Sequence, residues 1–306
     1  MSDTRNPIVV VGSITMDLVT RTPRIPLIGQ TLIGAAFETT PGGKGANQAV
    51  AAARLGYRVA MVAKVGDDAF GPQLVENLRQ SGIDVSAMAA TTGSSGLAPI
   101  FVADDGQNAI VVVPGANGKM DRAALDAHEA LIRSACMVLC QLEIPMDTLS
   151  HTLELCARAR VPVMLDPAPA AALPDAAFSQ VEWFTPNETE AAFYVGSGAS
   201  AEETAKRLHA KGLRGVALKR GGDGAYVSVA GQKAAWASPF KVDAIDTVGA
   251  GDCFNGAFAV ALAEGKDPWA AARFANAASA ISVTRKGAQA SMPWRAEVEA
   301  FLAGRG

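Results

Sequence analysis

Residues 246–265 read DTVGAGDCFNGAFAVALAEG, a stretch that opens as a glycine-rich turn and becomes an almost uncharged helix. Gly249, Ala250, Gly251 and Gly256 stand where an ordinary helix would place better formers. Glycines at 249 and 251 leave consecutive N–H groups unshielded at a helix N-terminus. With the positive end of the helix dipole behind it, such a nest binds anions. Asp252 at its mouth is a negative group beside an anion site, which is locally unfavourable. The placement makes sense if Asp252 takes a proton from a hydroxyl that attacks a phosphoryl group held by the nest. A plain helix cap would explain the aspartate but not the paired glycines.

Working outward, short Val/Ile/Ala-rich runs alternate with longer helical patterns over most of the chain. The runs 8–12, 58–64, 136–142, 162–166, 181–184 and 214–219 read as strands. Helices are expected at 45–56, 69–80, 121–133, 147–160, 187–195, 200–211, 251–264, 268–284 and 294–303. Continuous apolar strands separated by helices indicate an α/β fold with a mostly parallel sheet covered on both faces. Residues 15–40 and 94–113 break this rhythm with period-two patterns, and Asp105-Gly106 within FVADDGQNAIVVV signals a hairpin. These two segments are expected to form a small antiparallel sheet standing off the main domain. It is either a lid over a site or an edge extension.

The chain of 306 residues, 49% hydrophobic and 19% charged, suits one large domain spanning 1–306. A net charge of −3 with no basic run argues against a nucleic-acid surface. No apolar stretch reaches the length of roughly 18 residues that a membrane span needs. Four cysteines without metal-site spacing (136, 140, 156, 253) read as reduced thiols of a cytoplasmic protein. The histidines at 128, 151 and 209 read as surface residues rather than ligands or bases, which disfavours a His-dependent hydrolase.

A second glycine-rich stretch, PGGKGANQAVAAARLG at 41–56, lacks both the Walker A spacing and a dinucleotide fingerprint. Its Gly42-Gly43 pair instead lets a small ligand approach the backbone, next to Lys44. Asn47, one turn later, offers an amide that both donates and accepts, which suits a polyol hydroxyl. Further polar residues stand at strand ends, where open α/β sheets bind ligands: Asp17, Glu143, Asn187 and Glu190. Each of these is also compatible with an ordinary cap or turn, Asn187 with an N-cap in particular.

Together the two stretches resemble the paired signatures of the ribokinase-like sugar kinases, the phosphofructokinase-B family. GSITMD, QLEIP, DPAPA, TPNETEA and VTRKGAQASMPWR extend the likeness over essentially the whole chain, in the order found in bacterial members. The resemblance implies a doubly wound α/β domain whose β-sheet lid can also join two subunits into a homodimer. It implies transfer of the γ-phosphoryl of ATP, as its Mg²⁺ complex, to a sugar hydroxyl, O5 in the case of ribose. Asp252 then matches the catalytic base, with the N–H groups of Gly249, Ala250 and Gly251 as its anion hole. Thr15, Asp17, Gly43, Lys44, Asn47 and Glu143 match the sugar side. Asn187, Lys219, Gly221, Gly222, Gly224, Gly251 and Asn276 fall where the family binds nucleotide, and Glu190 belongs to an Asn-x-x-Glu element associated with Mg²⁺. Asp246, Val248, Ser282, Arg285, Gly287 and Ser291 correspond to a monovalent-cation loop, whose oxygen donors suit K⁺.

Two departures stand out. Thr15 occupies a position usually held by Asn, and Lys219 one often held by a hydroxyl residue. Other readings keep the fold and change the acceptor to another pentose, deoxyribose, a ketohexose derivative or a nucleoside. The last would need an apolar slot for the base, and the lid offers only Phe37 and Phe101. A non-catalytic sugar or nucleotide sensor would more simply have lost Asp252. A nicotinamide dehydrogenase lacks its phosphate fingerprint.

Overall fold

The computed structural model describes residues 5–305. From the N-terminus, β1 (Ile8–Val11) leads into β2 (Thr15–Thr22) and β3 (Ala36–Gly42), followed by α1 (Lys44–Arg54). Next come β4 (Val59–Gly66), α2 (Gly71–Gln80), β5 (Met88–Thr91), β6 (Gly96–Ala103) and β7 (Asn108–Ile110). Two short helices, α3 (Arg122–Asp126) and α4 (Glu129–Ser134), occupy the segment expected as one helix, which breaks at Ala127-His128. Then follow β8 (Met137–Cys140), α5 (Met146–Ala159), β9 (Val163–Leu165), α6 (Asp175–Gln180), β10 (Trp183–Phe184), α7 (Glu188–Val195), α8 (Ala201–Ala210) and β11 (Gly215–Lys219). The chain closes with β12 (Ala225–Val229), β13 (Ala235–Ala237), α9 (Ala250–Ala263), α10 (Pro268–Ser282), α11 (Ala288–Ser291) and α12 (Arg295–Ala303).

The large sheet has the order β13-β12-β11-β10-β9-β8-β1-β4-β5. Its strands are parallel from β11 to β5, and β12 and β13 add an antiparallel edge. Strand β1 shows why the continuous apolar runs arise. Ile8 and Val10 point into the layer that holds α1, α9 and α10, while Val9 and Val11 point into the layer with α5, α6 and α8. A strand covered on both faces has no polar side to show. Helix α9 is buried from Asp252 to Ala261, which accounts for its lack of charge.

The two segments outside the α/β rhythm form the second sheet, ordered β3-β2-β6-β7. The β2–β3 and β6–β7 pairs are antiparallel, the latter closed by the Asp105-Gly106 turn. The central β2–β6 pair is parallel, so the lid is mixed rather than wholly antiparallel. The reason is connectivity. Both strands leave the carboxyl side of the large sheet, one after β1 and the other after β5, and so run outward side by side.

Candidate active site

The chain winds from β1 toward β5 in one direction and toward β13 in the other, so the strand order reverses between β1 and β8. Open α/β sheets bind ligands beyond the carboxyl ends of the strands at such a reversal. Ser13 and Asp17 follow β1, Glu143 follows β8, Asp166 follows β9, Asn187 follows β10, and Lys219 ends β11. Each side chain continues from an apolar strand that has just left the core.

On the β1 side, Thr15 Oγ1 donates to Asp17 Oδ1 at 3.2 Å. Burial pushes the Asp17 carboxyl up to about 6, with the Thr15 hydrogen bond opposing the rise and the Glu143 charge adding to it. Gly42 lies directly against this carboxylate, where a Cβ would sit 2.6 Å from Asp17 Oδ2. Gly43 has φ +89°, and a Cβ there would meet Ile14 Cα at 2.8 Å, so the turn into α1 accepts no side chain. Glu143 Oε2 accepts from Ser13 Oγ at 2.5 Å and from the Lys44 N–H at 3.1 Å, tying β1, β8 and the start of α1 together.

Asp252 sits in the first turn of α9 and is 5% exposed. Its Oδ2 accepts from Asn47 Nδ2 at 2.9 Å and its Oδ1 from Gln48 Nε2 at 3.1 Å. Burial raises its pKa; the Lys44 charge opposes that rise, the Asp166 charge adds to it, and the two amides oppose it. A carboxylate with a raised pKa is a better proton acceptor near neutral pH. Burial also works against the Lys44 ammonium, but Asp252, Asp166, Glu143 and Glu190 surround it and hold its pKa above the usual lysine value. Gly249 precedes α9 with φ +74°, and its backbone packs on Ala288, 3.0 Å from where a Cβ would lie. The Ala250 N–H closes a turn on Thr247 O at 3.2 Å. Among the described residues, the N–H groups of Gly249, Gly251 and Asp252 take no such backbone partner, and these three are open to an anion.

Toward β11, Lys219 Nζ pairs with Asp166 Oδ1 at 2.9 Å and lies 3.4 Å from a Cβ built on Gly251. Asn187 is the N-cap of α7 in a capping box with Glu190, donating from Nδ2 to Glu190 Oε1 at 2.9 Å. Burial lifts the Glu190 carboxyl above its usual range, with Lys219 opposing. Gly221 and Gly222 form an exposed turn after β11, whereas Gly224 is buried against Ala237 O. Asn276 donates to Ala237 O at 2.9 Å and to Ser238 O at 3.1 Å, and so anchors the loop beside that turn.

Asp246 joins the two halves of the expected cation loop, accepting from the Val248 N–H at 3.0 Å and the Gly287 N–H at 2.9 Å. Ser282 and Ser291 hydroxyls pair at 2.7 Å. The Arg285 guanidinium is committed to Glu297, leaving only its carbonyl for a cation. This is an oxygen-rich donor set directly behind Gly249, compatible with a large monovalent ion. Among the described residues no three His, Cys, Asp or Glu side chains form a ready metal cage.

Hydrogen bonds therefore run unbroken from Asn47 through Asp252 and Gln48 to Asp166 and Lys219, while Thr15, Asp17 and Glu143 form a neighbouring group that faces the same Lys44 charge through Glu143. Asp166, Gln48 and Gln141 belong to it, although the sequence reading did not single them out. Asp166 is 2% exposed and accepts from Gln48 Nε2 at 2.9 Å as well as from Lys219. The signal was present: Asp166 is the first polar residue after VPVML, the strand-end rule applied to its neighbours. Of the histidines expected at the surface, His151 departs from that reading, while His128 and His209 are half-buried. His151 is buried on the inward stripe of α5, bonded to Asp126 at 2.7 Å, and His209 bridges Leu213 O and Ser228 Oγ. None of the three belongs to this network.

Comparison with known proteins agrees with this geometry. The family model for pfkB family carbohydrate kinases matches residues 5–295. A ribokinase of Bacillus subtilis is 46% identical over 96% of this chain and 99% of its own length. A deoxyribokinase of Salmonella typhi is 37% identical over 94% of this chain and 95% of its own. Among solved structures, Arabidopsis thaliana ribokinase complexed with ribose and ATP superposes with a TM-score of 0.92 at 34% identity, covering 98% of this chain and 99% of that one. With the signature residues assembled around one carboxylate and the likeness spanning the chain, this protein belongs to the pfkB family of carbohydrate kinases.

Proposed function

We propose that the protein transfers the γ-phosphoryl group of ATP to O5 of D-ribose, with Asp252 as the base. The observation that carries this reading is the buried Asp252 carboxylate, oriented by Asn47 and Gln48 at the N–H-bearing end of α9. The sugar hydroxyls are taken by Asp17, Asn47 and the segment around Gly43 and Glu143. Asp252 accepts the proton of the attacking hydroxyl as its oxygen bonds to the γ-phosphorus and the bond from that phosphorus to the β,γ-bridging oxygen breaks, releasing ADP. The N–H groups of Gly249, Gly251 and Asp252 face the charge on the transferring group, and Lys44 neutralises more of it. Lys219 and the Gly221-Gly222 turn receive the nucleotide phosphates, with Asn276 shaping the adjacent loop. Glu190 would hold Mg²⁺ through water, and the ion supplies charge neutralisation on the phosphates when bound.

Asp246 and the 282–291 segment would hold K⁺, which would stiffen the backbone behind the anion hole. Activity should then rise in K⁺ relative to a large organic cation at equal ionic strength; identical kcat values would dismiss that role. Ile28 and Ile33 in the β2–β3 connection are exposed, as is Phe37 on the face of the small sheet opposite Asp17, and we read this side as the surface that joins a second copy of the chain. Among the described residues no helix is long and apolar enough to cross a membrane, and all four cysteines are free, which fits the cytoplasmic setting we propose.

Deoxyribose is the second acceptor to weigh, because Thr15 engages Asp17 where the family usually carries an amide. A coupled assay of ADP release over ribose, deoxyribose, other pentoses, hexoses and nucleosides tests the assignment. Ribose should show the highest kcat/KM, and no ribose turnover would overturn the substrate.

A further inference from the structure

Two runs of side-chain amides end on the Asp252 carboxylate. The longer begins on α2, where Asn77 Nδ2 donates to Gln289 Oε1 at 2.7 Å. Gln289 Nε2 then donates to Asn47 Oδ1 at 3.1 Å, and Asn47 Nδ2 donates to Asp252 Oδ2 at 2.9 Å. Gln289 and Asn47 are buried, and Arg54 pins the backbone around Gln289 by donating to Gln289 O at 2.6 Å and Met292 O at 2.8 Å. Chemistry fixes the direction of every link. An ionised carboxylate only accepts, so Asn47 must turn its NH₂ toward Asp252 and its carbonyl toward Gln289. Gln289 must answer with its NH₂, which leaves its carbonyl for a donor at position 77.

The shorter run behaves differently. Gln141 Nε2 donates to Gln48 Oε1 at 2.7 Å, and Gln48 Nε2 reaches Asp252 Oδ1. Its near end is held by two carboxylates, since Gln48 Nε2 also donates to Asp166 Oδ2 at 2.9 Å, but among the described residues its far end, Gln141 Oε1, is buried without a partner. Only the longer run has a donor, Asn77, at its far end.

We propose that Gln289 is a positioning residue that locks the Asn47 amide donor-first toward Asp252, and that Asn77 sets the polarity of this relay from α2. The proposal rests on Asp252 serving as the base, and predicts that reversing a hydrogen bond at position 77 is felt three side chains away. Asn77→Ala removes the donor without reversing it. Asn77→Asp offers only an acceptor, so Gln289 and then Asn47 must turn over, and Asn47 presents its carbonyl to Asp252. The charged groups around Asp252 are Lys44 and Asp166, with Lys219 behind Asp166. An acceptor added there disfavours the ionised carboxylate, so the acid limb of the kcat profile moves to higher pH.

The test measures kcat, KM for ribose and for ATP, and pH profiles for wild type, both Asn77 variants, Gln289→Leu and the Asn77→Asp/Gln289→Leu double variant. Asn77→Ala should stay within about threefold of wild type, and Asn77→Asp should lose about 10- to 100-fold in kcat/KM with the acid limb displaced. Gln289→Leu interrupts the relay, so the double variant should match it, with no added loss from the change at position 77. Equal losses in Asn77→Ala and Asn77→Asp, or strict additivity in the double variant, would overturn the relay. Should Asn77→Asp fail to fold, Gln289→Glu imposes the same reversal on Asn47 and must be worse than Gln289→Leu. Asp252→Asn, assayed alongside, separates the two claims: activity near wild type there removes the base and leaves the amide polarity to be judged by the cycle alone.

Discussion

The two sheets treat polar and apolar groups in opposite ways. At the carboxyl edge of the nine-stranded sheet, Asp252, Asp166 and Asn47 are buried and bonded, while Lys44 and Glu143 stand close by. The four-stranded sheet and its β2–β3 connection instead leave large apolar side chains exposed, Ile33 at 88% and Phe37 at 65%. Buried ionisable groups cost stability unless paired, so the first arrangement needs a large rigid core behind it. Exposed apolar surface needs a partner or a closing motion to cover it. On the proposed function the difference separates the labour: orientation of the reacting groups is built into the α/β core before ligand arrives, and the small sheet contributes covering surface.

The largest expected effect tests the core half of that contrast. Asp252→Asn should lower kcat by about 10²–10⁴-fold, the usual range for losing a general base, while thermal melting stays at or above wild type. Activity within a few-fold of wild type would remove the base assignment. Asp17→Asn comes next, because it keeps the shape but removes the charge proposed to accept sugar hydroxyls; kcat/KM for ribose should fall about 10- to 100-fold. With its carboxyl at about 6, Asp17 is ionised above that pH and neutral below it. The KM for ribose should therefore climb as pH drops through about 6, and Asp17→Asn should flatten that climb. A wild-type KM independent of pH between 5 and 7 would contradict the role of Asp17.

A smaller effect is expected from Lys219→Thr, which restores the hydroxyl common in the family and strips Asp166 of its ammonium partner. The KM for ATP should rise by about tenfold at most, with little change for ribose. A selective rise in ribose KM would instead place Lys219 on the sugar side. Thr15→Asn should shift the ribose-to-deoxyribose ratio of kcat/KM by only about threefold, in favour of ribose, because the remaining sugar contacts are unchanged. An unmoved ratio would confine Thr15 to orienting Asp17. Smallest in kinetics is the lid change Ile33→Ser with Phe37→Ser. The melting temperature should hold, since exposed positions cost within about 0.5 kcal/mol, while sedimentation should report loss of the proposed dimer. A large loss of stability would show that the lid is as tightly built as the core and would break the comparison.

Much of this was legible along the chain because it depends on local rules. Continuous apolar strands announced a sheet covered on both faces, and period-two patterns with Asp105-Gly106 announced the second, smaller sheet. Gly43 and Gly249 marked turns that hold no side chain, since their positive φ values follow from backbone sterics. Asp252 drew attention as the proposed base because an aspartate beside an anion nest is locally unfavourable and asks for a reason. What only tertiary structure decided is which distant polar groups meet. The parallel pairing of β2 with β6 depends on where both strands leave the large sheet. Asp166 and Gln48 join the site because β9 and α1 deliver them to Asp252 and Lys219. Gln289 and Asn77 are separated by 212 positions, and no local pattern connects them. Their amides acquire a direction only because folding buries them in line with an acceptor-only carboxylate, where every donor must find its partner.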